Sequence, residues 1–244
     1  MPKNNLPAER SSSREIDAFL AKAARVPAVS QAKGRLIFAI DATMSRQATW
    51  DRAANIQTEM FSVAEGIGGL AVQLVYFRGF GEFQASEWTT SPLALAKRMQ
   101  SVTCMSGGTQ LCRVLTHAAD EARRTKVGVL VYIGDCFEES ADVAASEAAK
   151  LALLGVRAFM FHEGRDASAD AVFRDIARLT HGVYARFDPG AARQLRELLT
   201  AAAVYAAGGQ LALKKHGDRV GGEVLRLSRQ MGPGPGRSPG QSEK

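Results

Sequence analysis

The chain has 244 residues, of which 46% are hydrophobic and 23% charged. That suits one soluble domain with a sizeable core and extensions at both ends, and it excludes disorder throughout. The formal charge is +6, but residues 214–244 hold seven Lys or Arg against three Asp or Glu, so +4 belongs to that segment and +2 to the rest; with no basic stripe on the folded part, a nucleic-acid role is not supported.

The first residues, MPKNNLPAERSSSRE, are polar and broken by proline, with no apolar stretch of signal-peptide length. Ser12-Ser13-Arg14-Glu15 resembles a capping box, and Ile16, Leu20 and Ala23 follow at helical spacing, so a short helix is expected within an N-terminal extension over 1–33. Arg35 to Ile40 is an apolar strand ending at Asp41, and after a polar loop Trp50, Ala53, Ile56, Met60, Ala64 and Ile67 mark an amphipathic helix. Gly66, Gly68 and Gly69 end it. The string Gly66-Ile67-Gly68-Gly69 imitates a dinucleotide fingerprint, but it closes a helix before a strand, the reverse of the required order.

Ala71 to Phe77 reads as a second strand, and the turn Gly79-Phe80-Gly81 folds Phe83 to Trp88 back beside it as an antiparallel edge. A helix over 93–99, a loop with Ser106-Gly107-Gly108 and a helix over 109–124 follow. Val127 to Ile133 is the most hydrophobic strand. Helices at 141–153, 168–179 and 190–206 then alternate with strands at 156–161 and 183–187. This alternation predicts a doubly wound α/β fold with a mostly parallel sheet of about six strands and helices on both faces, spanning 34–207. Beyond Gly208-Gly209 the helical pattern fades, and a basic, Gly/Pro-rich tail over 208–244 is expected to be largely disordered. No apolar run is long enough to span a bilayer. Cys104, Cys112 and Cys136 form no paired framework and no CxxC, so a cytoplasmic protein with free thiols is expected.

Ligands of such sheets bind at the carboxyl ends of the strands. Asp41-Ala42-Thr43-Met44-Ser45 follows the first strand, Thr109 opens a helix after two glycines, and Asp135 follows the most hydrophobic strand. Two carboxylates and three hydroxyls make a hard, all-oxygen set, suited to Mg²⁺ or Mn²⁺ and poorly suited to Zn²⁺ or Cu²⁺. With neutral hydroxyls in the first shell the cation keeps most of its charge and attracts a carboxylate. No His, Glu or Cys nucleophile and no general base accompanies the set, which argues against hydrolysis.

Asp41-x-Thr43-x-Ser45, then Thr109, then Asp135, resembles the metal-ion-dependent adhesion site of the von Willebrand factor type A domain family, in order, spacing and strand ends. The resemblance covers about residues 34–207. It implies a Rossmann-like sheet and hydroxyl ligands from Thr43, Ser45 and Thr109. It further implies that Asp41 and Asp135 act directly or through water, and that a protein partner's Asp or Glu completes the octahedron. It departs from the family at Thr43, where serine is usual; the hydroxyl is kept and the methyl narrows the site. The function implied is non-enzymatic protein binding through a bridged cation.

Taken singly, Asp41, Ser45 and Thr109 read equally well as helix caps, and only their joint order favours a metal site. A magnesium-dependent phosphatase of the haloacid-dehalogenase type also places Asp after the first strand, but it needs a second Asp two residues on, where Thr43 stands. A third reading is a metal-independent scaffold. Cys104 and Cys136 fall near the set and are read as small buried hydrophobes rather than redox sensors. His117 and His181 lack a second ligand and read as structural or solvated. Arg46 and Arg113 flank the set, either to steer an acidic partner or as part of a solvated face.

Overall fold

The computed structural model describes residues 34–188 and 191–231, except for the side chain of Gln57. The expected N-terminal helix lies outside the described residues. Six strands, β1 (Gly34–Asp41), β2 (Leu70–Arg78), β3 (Glu82–Ala85), β4 (Val129–Gly134), β5 (Arg157–Glu163) and β6 (Val183–Phe187), form one sheet in the order β3-β2-β1-β4-β5-β6. All neighbours are parallel except β2 and β3. The sheet is therefore mostly parallel with one antiparallel edge strand, as the alternation of elements implies.

β1 and β4 lie at the centre and are apolar along almost their whole length because both their faces are covered. Leu36, Phe38 and Ile40 face a core shared with Trp50, Met60, Leu95 and Leu198. The intervening Ile37 and Ala39 face a second core with Val114, Leu151 and Phe173. The period of two along a strand thus divides one sequence between two layers. On the first face lie α1 (Gln47–Glu65), α2 (Pro92–Gln100) and α6 (Ala192–Val220); on the second lie α3 (Leu111–Arg124), α4 (Ala141–Leu153) and α5 (Ala167–Leu179).

Local chemistry sets several boundaries. Ser91, Ser140 and Asp166 accept from the backbone N–H three residues on and so begin α2, α4 and α5. β3 stops at Ala85, short of the expected Trp88, because the Ser86 hydroxyl takes the Leu74 N–H at 3.1 Å in place of a ladder bond. The chain pairs again only at Thr89, opposite Val72.

The expectation of a largely disordered tail from residue 208 is corrected up to residue 231. Gly209 has φ +69°, a conformation that favours glycine, and it breaks α6 into two helical pieces. The second piece and α7 (Gly222–Gln230) fold back and bury Leu213, Val224, Leu227 and Met231 in the first core. Two short helices interrupted by Gly208-Gly209 and Gly221-Gly222 show too few apolar anchors each to reveal a periodic stripe. The anchors become a face only when the pieces pack together. Among the described residues no helix is long and apolar enough to cross a membrane.

Candidate metal centre

The chain runs from β1 outward to β2 and β3, then returns to β4 on the other side of β1. That reversal of strand order leaves a crevice at the carboxyl ends of β1 and β4. In their register Ile40 stands opposite Ile133, so Asp41, the last residue of β1, and Asp135, just beyond β4, arrive at the same edge.

Asp41 is fully buried. Its Oδ1 accepts the Thr43 N–H at 2.7 Å, which turns the chain, while Oδ2 is buried with no hydrogen-bond partner. The loop is pinned on both sides: Ala42 N–H donates to the Phe77 carbonyl at 3.0 Å, and the Ala42 carbonyl accepts from Met105 N–H at 3.0 Å. The Thr43 and Ser45 hydroxyl oxygens stand 3.4 Å apart, and Ser45 donates to Asp135 Oδ2 at 2.7 Å. Asp135 Oδ1 is the second buried oxygen without a partner. Ala42 goes into the core and Met44 to solvent. Four of the five residues singled out in the sequence, Asp41, Thr43, Ser45 and Asp135, thus form one connected cluster.

Thr109 is engaged elsewhere. Its hydroxyl accepts from Glu138 N–H at 3.0 Å, and its N–H donates to Glu138 Oε2 at 3.3 Å. Glu139 accepts from the backbone N–H of Leu111 at 2.5 Å and of Cys112 at 3.0 Å, which caps the amino end of α3 and explains why that helix starts at 111 rather than 109. Gly107 is required here by close approach, since a Cβ there would stand 2.1 Å from the Gly79 carbonyl oxygen.

Arg46 does not belong to a solvated face. It is buried and ion-paired with Glu163 at the end of β5, which also accepts from the Thr49 hydroxyl at 2.6 Å. One cation thus stands among Asp41, Asp135 and Glu163, and negative charge is left over. Arg113 is held by the carbonyl of Gly81 at 3.0 Å and lies over the Phe83 ring at 4.7 Å. His117 pairs with Gln73 Oε1 at 2.9 Å, and His181 occupies a left-handed turn with φ +50°.

Burial raises the Asp41 carboxyl to about 6; the Thr43 N–H opposes the shift, and the Asp135 charge adds to it. Burial and the neighbouring Asp135 push the Cys136 thiol up to about 12, and burial lifts Cys104 to about 11. Asp41, Asp135 and Cys136 each offer an atom, all within 4.8 Å of one another, so these three could hold a metal. Two carboxylate oxygens without partners, one of them on a side chain that is fully buried, fit a cation. The sequence reading missed Glu138, Glu139 and Glu163, and it placed Cys136 near the set as a small buried hydrophobe rather than a ligand. None of the glutamates carries a local motif, and only the fold brings them in.

Neither a family model nor a curated protein matches the sequence. Solved structures do match in fold. The SpRpn10 VWA domain aligns with TM-score 0.53 and 14% identity over 72% of this chain and 97% of that one. The vWF domain of the type V pili tip protein Mfa5 from Porphyromonas gingivalis gives TM-score 0.54 and 12% identity over 72% and 95%. Proximal thread matrix protein 1 from the mussel byssus, with a zinc-occupied MIDAS motif, gives TM-score 0.54 and 16% identity over 70% and 46%. The sheet order, the helices on both faces and these superpositions together show that the chain has a von Willebrand factor A-like fold.

Proposed function

We propose that this chain is a non-enzymatic protein-binding module that holds a divalent cation between Asp41 and Asp135 and, through it, captures an acidic side chain of a partner. The observation that carries the reading is the pair of buried carboxylate oxygens, Asp41 Oδ2 and Asp135 Oδ1, with no partner of their own. Arg46 Nε and Nη2, Tyr132 OH and His162 Nε2 are also buried without partners, but only the two aspartates leave unpaired acceptors of negative charge at the mouth of the sheet, which favours a positive ligand there. Thr43 and Ser45 supply hydroxyl oxygens beside them, and Thr109 stands at the head of the neighbouring loop. Oxygen donors of this kind favour Mg²⁺ or Mn²⁺. When bound, the cation supplies a Lewis-acidic position for a carboxylate.

The residues have separable tasks. Asp41 and Asp135 hold charge, the Asp41 turn aims Thr43 and Ser45, and Glu138 with Glu139 fix the loop that carries Thr109. Arg46 is ion-paired with Glu163 and offsets only part of the charge of the two aspartates. The zinc-occupied motif of the mussel protein supports a metal in this type of fold.

The test is an affinity pull-down from lysate in Mg²⁺, comparing the native chain with Asp41→Ala and with EDTA. The reading expects a specific partner that is lost in both controls. Recovery of the same partner under all conditions overturns it. Sustained, Asp41-dependent phosphatase turnover with Mg²⁺ would favour the phosphatase reading instead, although no second carboxylate occupies position 43.

A further inference from the structure

The cluster at the sheet mouth contains a sulfur donor that an all-oxygen description leaves out. Cys136 Sγ lies within 4.8 Å of a carboxylate oxygen of both Asp41 and Asp135. Independently, Asp41 Oδ2 is buried and unpartnered, on a side chain that brings a carboxylate oxygen within 4.8 Å of the other two ligand atoms. The other two thiols are placed differently. Cys104 is buried in the first core, and Cys112 Sγ faces the Ser140 carbonyl at 3.9 Å. Tetrahedral zinc ligands at about 2.0–2.3 Å from the ion stand roughly 3.5 Å apart, so closing this triangle takes side-chain adjustments of about an ångström.

We propose that Cys136 is a third protein ligand, so that Asp41, Asp135 and Cys136 hold a thiophilic divalent cation, Zn²⁺ above all, in preference to Mg²⁺. The proposal rests on the metal reading above and names its metal. Soft thiolate selects zinc where carboxylate and hydroxyl alone do not. On binding, the S–H bond of Cys136 breaks, an S–Zn bond forms and the proton leaves to solvent. Three protein ligands leave one position open, which suits capture of an outside carboxylate. Three anionic ligands also neutralise more of the cation's charge, so the zinc form grips a partner less strongly than the magnesium form.

The experiment uses the full chain, stripped of metal under reducing conditions. Cobalt is titrated as a spectroscopic stand-in for zinc, Zn²⁺ affinity is measured by competition with a chromophoric chelator, and Mg²⁺ binding is followed by thermal shift. Native protein and Cys104→Ser should show a sulfur-to-cobalt charge-transfer band, and Cys136→Ser should not. Cys136→Ser should bind Zn²⁺ about 10–100-fold more weakly, at least the loss seen when an outer-shell partner is removed, with Mg²⁺ affinity unchanged. Pull-down should recover less partner in Zn²⁺ than in Mg²⁺. An unchanged cobalt band and zinc affinity in Cys136→Ser, with Mg²⁺ binding still dependent on Asp41, overturns the thiolate ligand and leaves the metal reading standing. Absence of any Asp41-dependent metal binding removes both.

Discussion

Asp41 is held where its charge is unfavourable unless a cation comes to it. Its folded carboxyl titrates at about 6 against an ordinary value of 3.8, so between those values the folded state binds the extra proton. In the metal-free protein the contribution of Asp41 to stability is therefore fully present below about 3.8 and is lost as pH rises through about 6, by on the order of 3 kcal/mol. Asp41→Asn removes that penalty. At pH 7.5 without metal the variant should melt higher than the native chain, and it should lose all stabilisation by added Mg²⁺; calorimetry with and without the metal checks both. A variant that melts lower and still responds to metal would show that Asp41 is structural. Asp170 has the opposite sign. Arg174 and the Tyr184 hydroxyl bind its carboxylate and hold it down to about 2. The stability it contributes is present above 3.8 and disappears as pH falls through about 2. Asp170→Asn should lower stability by about 1 kcal/mol at pH 7, after allowance for solvent screening, and the gap should shrink towards pH 2 in urea titrations.

Among the elements, α3 and the loop before it depend on two glutamates that reach across from beyond β4. Glu139 satisfies two backbone N–H groups at the amino end of α3, where its charge also complements the helix dipole. Glu139→Gln should lower stability by about 1 kcal/mol, a fall of roughly 2–4 °C in melting temperature for a domain of this size. Gly107→Ala tests the same loop from its other side. A methyl 2.1 Å from the Gly79 carbonyl oxygen must displace the backbone, so cation affinity should weaken along with stability. An alanine variant with native affinity, measured by metal titration, would show that the Thr109 loop does not contribute to the site. Part of this region was legible beforehand: Ser106-Gly107-Gly108 and Thr109 stand out in the sequence as a loop before a helix. Glu138 and Glu139 did not, because their contacts to Thr109 and α3 span nearly thirty positions and leave no spacing to read.

For the molecule as a whole, the residues after the Gly209 kink belong to the core. Leu213, Val224 and Leu227 are buried against the face that also holds Leu36, Phe38 and Ile40. Each such side chain contributes about 1.5–3 kcal/mol by burial, and together they rival the net stability of a typical domain, about 5–15 kcal/mol. A chain ending at residue 208 should therefore be unfolded or aggregated at 25 °C, and Leu227→Ala alone should cost about 2–5 kcal/mol in denaturant titrations. A truncated chain with native circular dichroism and an unchanged unfolding midpoint would show that the two terminal helices are accessory.

What the sequence determined by itself was the order and kind of elements from Gly34 to about residue 207, and the position of Asp41 and Asp135 at strand ends. Continuous apolar runs and helical stripes are local properties, readable wherever burial repeats with a fixed period. Four of the five residues singled out meet in one cluster for the same reason, since a short motif after β1 and a residue after β4 converge whenever those strands are neighbours. Tertiary structure alone decided the rest. It buried Arg46 against Glu163, turned Thr109 to Glu138, brought the neighbouring Asp135 and Cys136 within reach of Asp41 and folded residues 210–231 onto the core. Each of these depends on which distant segments meet, and a pairing across 29 to 117 positions has no period along the chain.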